Sequence, residues 1–258
     1  MSTCKPMAHH RPPTTYRGST PPPLSLPPQD GADVAAHTRQ QLARLREETR
    51  HLRERIEALR QDIGAARGHS ASAVADGADA RVDAAAQAAN GVLHLAEHDV
   101  LTDMPNRLLL FDRLEQAIEA GRRHLKRVGV LFLDLDGFKA INDSAGHCVG
   151  DQLLYQAAKR LSSNVRGSDT VSRYGGDEFV ILLSEIDQPE DAAVAAGKMI
   201  AAISAAYNIE GRDYYLSASV GVSIYPQDAA DPQSLIEMAD TAMYRAKAGG
   251  GGAYQFFS

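Results

Sequence analysis

Two acidic segments of this 258-residue sequence combine carboxylates with glycines that let a backbone approach a ligand. One is Gly175-Gly176-Asp177-Glu178. Glycine takes positive φ at no steric cost and leaves no side chain between chain and ligand. Two adjacent carboxylates on a tight turn repel each other unless they are solvated or bind a cation. A solvated surface hairpin gives the same pattern, so the turn alone decides nothing. The other segment is Phe132-Leu133-Asp134-Leu135-Asp136-Gly137-Phe138-Lys139. Asp134 closes a nearly unbroken apolar run from Val128 to Leu133, the pattern of a strand buried on both faces. Open α/β sheets present ligands at the carboxyl ends of such strands. If the hairpin neighbours that strand, Asp134 and Asp177 converge. Two carboxylates and a backbone carbonyl then form a hard oxygen site suited to Mg²⁺ that shares triphosphate oxygens. Gly137 would admit backbone N–H groups to the phosphates, and Lys139 would add a point charge.

The elements that must hold these residues alternate along the second half of the chain. Helical spacing runs from Leu108 to Glu119, and Val128 to Leu133 reads as a strand. A helix follows over Asp151 to Val165. Thr170–Tyr174 and Phe179–Leu183 flank Gly175-Gly176 as a two-residue hairpin. Ala192 to Ala206 is helical, and Tyr215 to Tyr225 is a strand closed by Pro226. Ser234 and Glu237 form a capping box for a helix reaching Lys247. Tyr254 to Phe257 supplies a last edge strand. Strand, helix, hairpin, helix, strand, helix is the order of an α/β (α+β) ferredoxin-like core with additions.

The first half differs in composition. Residues 1–30 are rich in Pro, Ser and Thr and carry too little apolar surface to offset ordering entropy, which predicts a disordered tail; a polyproline partner segment is the alternative. Residues 33–98 are expected to be helical. Leu42, Leu45, Thr49, Leu52, Ile56, Leu59 and Ile63 follow a heptad with Leu at d and Ile at two a positions. That pattern favours a parallel two-stranded coiled coil, hence a homodimer. One amphipathic helix packed on its own domain is the bland reading. Gly64, Gly68 and Ser70 interrupt the pattern, and an Ala-rich stretch from Ser72 to His98 reads as a signalling linker. The third segment, 99–258, is the globular domain.

Composition narrows the partners. A net charge of −6 argues against a nucleic-acid polymer or an anionic membrane surface. Two cysteines, Cys4 and Cys148, make no disulfide framework and lack zinc spacing. With no apolar leader and no window near the roughly 20 apolar residues of a spanning helix, the expectation is a soluble, cytoplasmic protein.

Arg173-Tyr174-Gly175-Gly176-Asp177-Glu178-Phe179 resembles the signature of the GGDEF family of diguanylate cyclases. Three collinear stretches resemble its other motifs: Asp99 to Arg107, Asp134 to Asp151, and Ala239-Asp240 through Ala246-Lys247. The resemblance spans about Asp99 to Phe257. It implies a nucleotidyl-cyclase palm that joins two GTP molecules into cyclic di-GMP with release of pyrophosphate, using magnesium, two ions per active site. By position, Asp134 and Asp177 match the metal carboxylates, with the Leu135 carbonyl as a further ligand. Glu178 matches the general base or second-metal ligand for the attacking 3′-hydroxyl. Asn142 and Asp151 match the pair that reads guanine. His147 falls beside the nucleotide, Lys139 and Lys247 match phosphate contacts, and Gly137, Phe138, Gly175 and Gly176 line the substrate. Arg166 and Asp169 resemble the product-inhibition motif RxxD. One departure stands out. Where the family usually shows Gly-Arg-Asn after the last helix, this chain has Gly249-Gly250-Gly251-Gly252, without the phosphate-holding Arg. Asp103 also stands where Gly is more usual.

Because each domain holds one GTP, two must meet, and a coiled coil would make that encounter effectively intramolecular. Two other readings compete. A catalytically weak domain could sense GTP or cyclic di-GMP through Arg166 and Asp169, or the globular half could be a scaffold for a coiled-coil interaction protein.

Overall fold

The computed structural model describes residues 91–257, together with the single positions Ala58 and Gln87. The Pro-rich tail, the heptads from Leu42 to Ile63 and most of the Ala-rich stretch lie outside the described residues. The end of that stretch, residues 91–97, is helical, with Val92 and Leu95 exposed.

Helix α1 (Arg107–His124) leads into strand β1 (Arg127–Asp136), then α2 (Phe138–Ala145) and α3 (His147–Ser162). Strands β2 (Thr170–Gly175) and β3 (Glu178–Ile186) follow, then α4 (Pro189–Ser204) and the short strands β4 (Tyr207–Ile209) and β5 (Arg212–Tyr214). Strand β6 (Ser217–Tyr225), helix α5 (Pro232–Ala248) and strand β7 (Tyr254–Phe256) complete the chain. The main sheet has the order β2-β3-β1-β6-β7. Its first four strands pair antiparallel, as in a ferredoxin-like core, and β7 joins β6 in parallel, so the sheet is mixed.

The period of two along each strand decides which side chain meets which helix. In β1, Leu131, Leu133 and Leu135 enter the core on one face, with Leu153, Ala157 and Leu161 of α3 and Ala192, Ala196 and Met199 of α4. Val128, Val130 and Phe132 face the other way, toward Leu110 and Leu114 of α1 and Leu235, Ala239 and Met243 of α5. Asp134 and Asp136 share the parity of Val130 and Phe132, which puts them on the α5 side. In β6, Ala218, Val220, Val222 and Ile224 fill the first core. The alternate residues Ser217, Ser219, Gly221 and Ser223 are small because α5 lies close over them. A Cβ on Gly221 would stand 1.9 Å from the Ala239 carbonyl oxygen, and the Ser223 hydroxyl donates to the Leu235 carbonyl at 2.7 Å.

Several sequence expectations change in detail. Helix α5 is capped by Asp231, whose carboxylate accepts from Ser234 N–H, with Pro232 at the first helical position. Proline needs no N–H there and fixes the helical φ, so the helix cap is Asp231, three residues before the expected cap Ser234. In the β2–β3 hairpin Gly175 pairs with Glu178, so the two-residue loop is Gly176-Asp177, not Gly175-Gly176. Gly176 takes the positive φ of +52°. Helix α2 and the β4–β5 hairpin were not anticipated. Among the described residues no helix is long and apolar enough to cross a membrane.

Candidate active site

The register of the sheet builds the acidic centre. Asp134, at the end of β1, pairs with Glu178 on β3 and with Ser219 on β6. Beyond it, Leu135 N–H donates to the Asp177 carbonyl at 3.3 Å, which stitches the hairpin loop to the end of β1. Asp134 is 8% exposed, and its Oδ1 lies 2.6 Å from the Lys247 ammonium. Lys247 reaches it from the last turn of α5.

The electrostatics describe a site short of positive charge. Burial, then the charge of Asp134, pushes the Asp177 carboxyl above the usual carboxylate range. Burial raises Glu178 as well, followed by the charges of Asp240, Asp134 and Asp177. Asp240, on α5, is raised by burial and then by Asp134 and Glu237. Burial opposes the charge on Lys247, yet the hydrogen bond to Asp134 and the charges of Asp134, Asp136 and Asp177 raise it overall. An ammonium already occupies part of the place a metal cation would take.

A magnesium–nucleotide complex fits this donor set. Among the described residues no three His, Cys, Asp or Glu side chains are gathered closely enough to hold a metal unaided. Mg²⁺ characteristically takes one or two carboxylates and completes its shell with water and substrate phosphates. Oxygen donors from Asp134, Asp177 and Glu178, with the Leu135 carbonyl, suit that habit.

A second group lies across α2 and α3. The Asn142 Oδ1 is buried without a hydrogen-bond partner. It packs on Gly150, where a Cβ would approach it to 2.4 Å. Asp151, on α3, is exposed, and His147 is exposed at that helix's first position. A buried acceptor without a donor is costly in a finished core, so the Asn142 amide has capacity to accept a further hydrogen bond. Gly137 precedes α2 with φ +80°, and Lys139 is exposed on its first turn. The Phe138 side chain is buried in the core.

Arg166 and Asp169 stand at the opposite end of β2 from Gly175. The Asp169 carboxylate accepts from the backbone N–H groups of Ser184 (3.2 Å) and Arg166 (3.3 Å). With Asp187, Asp191 and Lys198 they line a cavity of about 510 Å³ between the β2–β3 end of the sheet and α4.

Arg173 escaped the sequence reading as an individual residue. Its guanidinium donates to the Gly176 carbonyl at 3.0 and 2.8 Å and to Asp99 at 2.9 and 3.1 Å. It therefore braces the acidic loop against the start of the domain. Asp240 and Asp136 were also passed over. The signal was present in part, because Asp136 lies in the Asp134 segment and Asp240 in the Ala239-Asp240 stretch.

The family described as "Diguanylate cyclase, GGDEF domain" matches residues 96–253. The chain belongs to that family. Among its relatives, the bifunctional diguanylate cyclase/cyclic di-GMP phosphodiesterase MucR of Pseudomonas aeruginosa is 49% identical over 172 residues, 67% of this chain and 25% of MucR. Diguanylate cyclase TpbB of the same organism is 41% identical over 155 residues, 60% of this chain and 36% of TpbB. The solved GGDEF domain of TpbB superposes with a TM-score of 0.61 at 38% identity, covering 62% of this chain and 94% of that one. The GGDEF domain of DgcB from Caulobacter crescentus, solved in complex with cyclic di-GMP, gives a TM-score of 0.58 at 26% identity over 63% and 96% of the two chains. The chain spans 25% of the length of MucR and 36% of that of TpbB. The GGDEF match accounts for nearly all of the described globular half, residues 96–253.

Proposed function

We propose that this GGDEF domain condenses two GTP molecules into cyclic di-GMP. The observation that carries the reading is the junction of Asp134, Asp177 and Glu178 at one end of the sheet, beside Lys247. In each half-reaction the 3′-oxygen of one GTP bonds to the α-phosphorus of the other, and the bond from that phosphorus to the bridging oxygen breaks, releasing pyrophosphate. Glu178, whose carboxyl is raised by burial and then by its acidic neighbours, is suited to take the proton of the 3′-hydroxyl, since a base with an elevated pKa accepts it more readily. Asp134, Asp177, Glu178 and the Leu135 carbonyl would hold magnesium, which when bound supplies charge for the triphosphate and acidifies the attacking hydroxyl. Asn142 and Asp151 would read guanine: an amide offers donors and an acceptor, and a carboxylate accepts from N1–H and N2–H₂. Lys139 and Lys247 would hold phosphate. GTP as substrate implies a cytoplasmic protein.

Because each domain offers one such site, the active form is a dimer, brought together through the coiled coil of the N-terminal half. Arg166 and Asp169, with the cavity beside them, form the site where accumulated product inhibits. That cavity also supports a second reading, a weakly active domain that senses cyclic di-GMP.

Incubation of the purified protein with GTP and Mg²⁺ separates the two. Cyclic di-GMP with two pyrophosphates per product, abolished by Asp177→Ala, supports the enzyme. Binding of cyclic di-GMP without turnover supports the sensor. Deleting residues 1–98 is expected to lower specific activity most at low protein concentration; equal activity at every concentration removes the coiled coil from the account.

A further inference from the structure

Beside the catalytic carboxylates stands Asp136, two residues beyond Asp134 and on the same face of β1. Its carboxylate accepts three hydrogen bonds: from the Ser217 hydroxyl (2.8 Å, Oδ2), the Ser219 hydroxyl (2.8 Å, Oδ1) and the Gly252 N–H (2.9 Å, Oδ2). The two serines lie on β6 at the positions that face α5. Gly252 belongs to the loop that carries the chain out of α5 into β7.

That loop is built of glycines in the left-handed region, with φ of +116° at Gly250, +73° at Gly251 and +63° at Gly252. Its first N–H groups finish the helix: Gly249 donates to the Arg245 carbonyl, Gly250 to Lys247 and Gly251 to Ala246. Gly252 is then tied to Asp136, and Ala253 accepts from Val220 N–H as β7 begins. A Cβ on Gly251 would lie 2.9 Å from Asp136 Oδ2. An L-residue with a side chain at Gly251 would also be strained by its φ. A side chain at Gly251 would press on the Asp136 carboxylate. The loop closes on a carboxylate, and Lys247 sits one helical turn before it.

Resting on the diguanylate cyclase reading, we infer that Asp136 is a positioning residue: by fastening the glycine loop to β6 it fixes the end of α5 and holds the Lys247 ammonium over the triphosphate end of the site. Its task is to hold the lysine that grips phosphate in a chain without the arginine.

The role predicts a split between variants. Asp136→Ala releases Gly252, Ser217 and Ser219, so affinity for a non-hydrolysable GTP analogue with Mg²⁺ and KM for GTP both weaken about tenfold, while kcat at saturation changes less than about threefold. Asp136→Asn keeps an oxygen toward Gly252 and Ser217 and offers its NH₂ to the Ser219 hydroxyl, so both quantities stay within about twofold of the parent. Gly251→Ala, which retains Asp136 but presses on it, should reproduce the weakened binding even if Asp136→Ala fails to fold. The analogue titration reads Asp136 whether or not the parent turns over, so loss of parental turnover would sink the enzyme reading alone. An Asp136→Asn protein as defective as Asp136→Ala would make the charge the cause and overturn the positioning role. Unchanged analogue affinity in Asp136→Ala or in Gly251→Ala would overturn it as well.

Discussion

The Lys247 ammonium lies 2.6 Å from the Asp134 carboxylate, bridging the last turn of α5 and the end of β1 across 113 residues of sequence. The lysine thus offsets part of the negative charge of an acidic centre that also holds Asp177, Glu178 and Asp240. If a metal binds Asp134, the lysine must yield that oxygen, and the triphosphate offers it another.

Lys247→Met should therefore act in opposite directions on two ligands. Without nucleotide, Mn²⁺ as a magnesium substitute should bind more tightly, because nothing competes for Asp134. KM for GTP should rise about ten- to a hundredfold, the loss of a charge-assisted contact of roughly 1.5–3 kcal/mol. Metal titration by electron paramagnetic resonance, beside steady-state kinetics, measures both. Weakening of both together would show that the lysine does not compete with metal.

Asp99 makes the stability of the domain sensitive to acid. Burial opposes its charge, but hydrogen bonds from Thr102 and Arg173 outweigh that and hold its carboxyl below the usual range. A group whose folded pKa is depressed stabilises above its unfolded value, near 3.9, and loses that contribution as pH falls through the folded one. Asp99→Asn should accordingly lower the melting temperature at about pH 7, and the gap should narrow as pH falls from the unfolded value through the depressed folded one, below which both proteins carry a neutral side chain. Thermal unfolding across that range tests it; a constant gap at every pH would show that charge is irrelevant.

Guanine selection should depend on Gly150. A methyl there would stand 2.4 Å from the Asn142 Oδ1, so Gly150→Ala must push the amide out of position. We expect KM for GTP to rise about tenfold, the scale of one lost hydrogen bond with its partner left unsatisfied, and the preference for GTP over ATP to shrink. Competition kinetics with the two nucleotides would read this, and an unchanged ratio would count against Asn142 as the reader.

Product inhibition should map to Arg166. Arg166→Ala leaves the acidic centre untouched at the far end of β2 and removes from the cavity lining a guanidinium of the type suited to phosphate. Initial turnover should match the parent, and the plateau reached as product accumulates should disappear. Progress curves with added cyclic di-GMP decide it: a plateau that persists in the variant places inhibition elsewhere.

Much of the site could be read from the chain because its parts are contiguous. The hairpin carboxylates follow their glycines directly, and Asp134 announces itself by ending an apolar run. The face under α5 could not be read that way. Ser217, Ser219, Gly221 and Ser223 look like a weak strand until the closeness of the helix explains their size. The Arg173–Asp99 brace joins residues 74 apart, which no local pattern signals. Helix α2 was missed because Phe138 is its one buried residue and Gly137 looked like the start of a loop. Strands β4 and β5 are three residues each, too short for alternation to register.

Anomalous scattering from crystals soaked with Mn²⁺ and a non-hydrolysable GTP analogue would bear most directly on the acidic centre. A peak within coordination distance of both the Asp134 and Asp177 carboxylates, beneath the triphosphate, is the predicted result. Nucleotide bound with the metal on neither carboxylate, or with Lys247 still on Asp134 and the metal elsewhere, would contradict it.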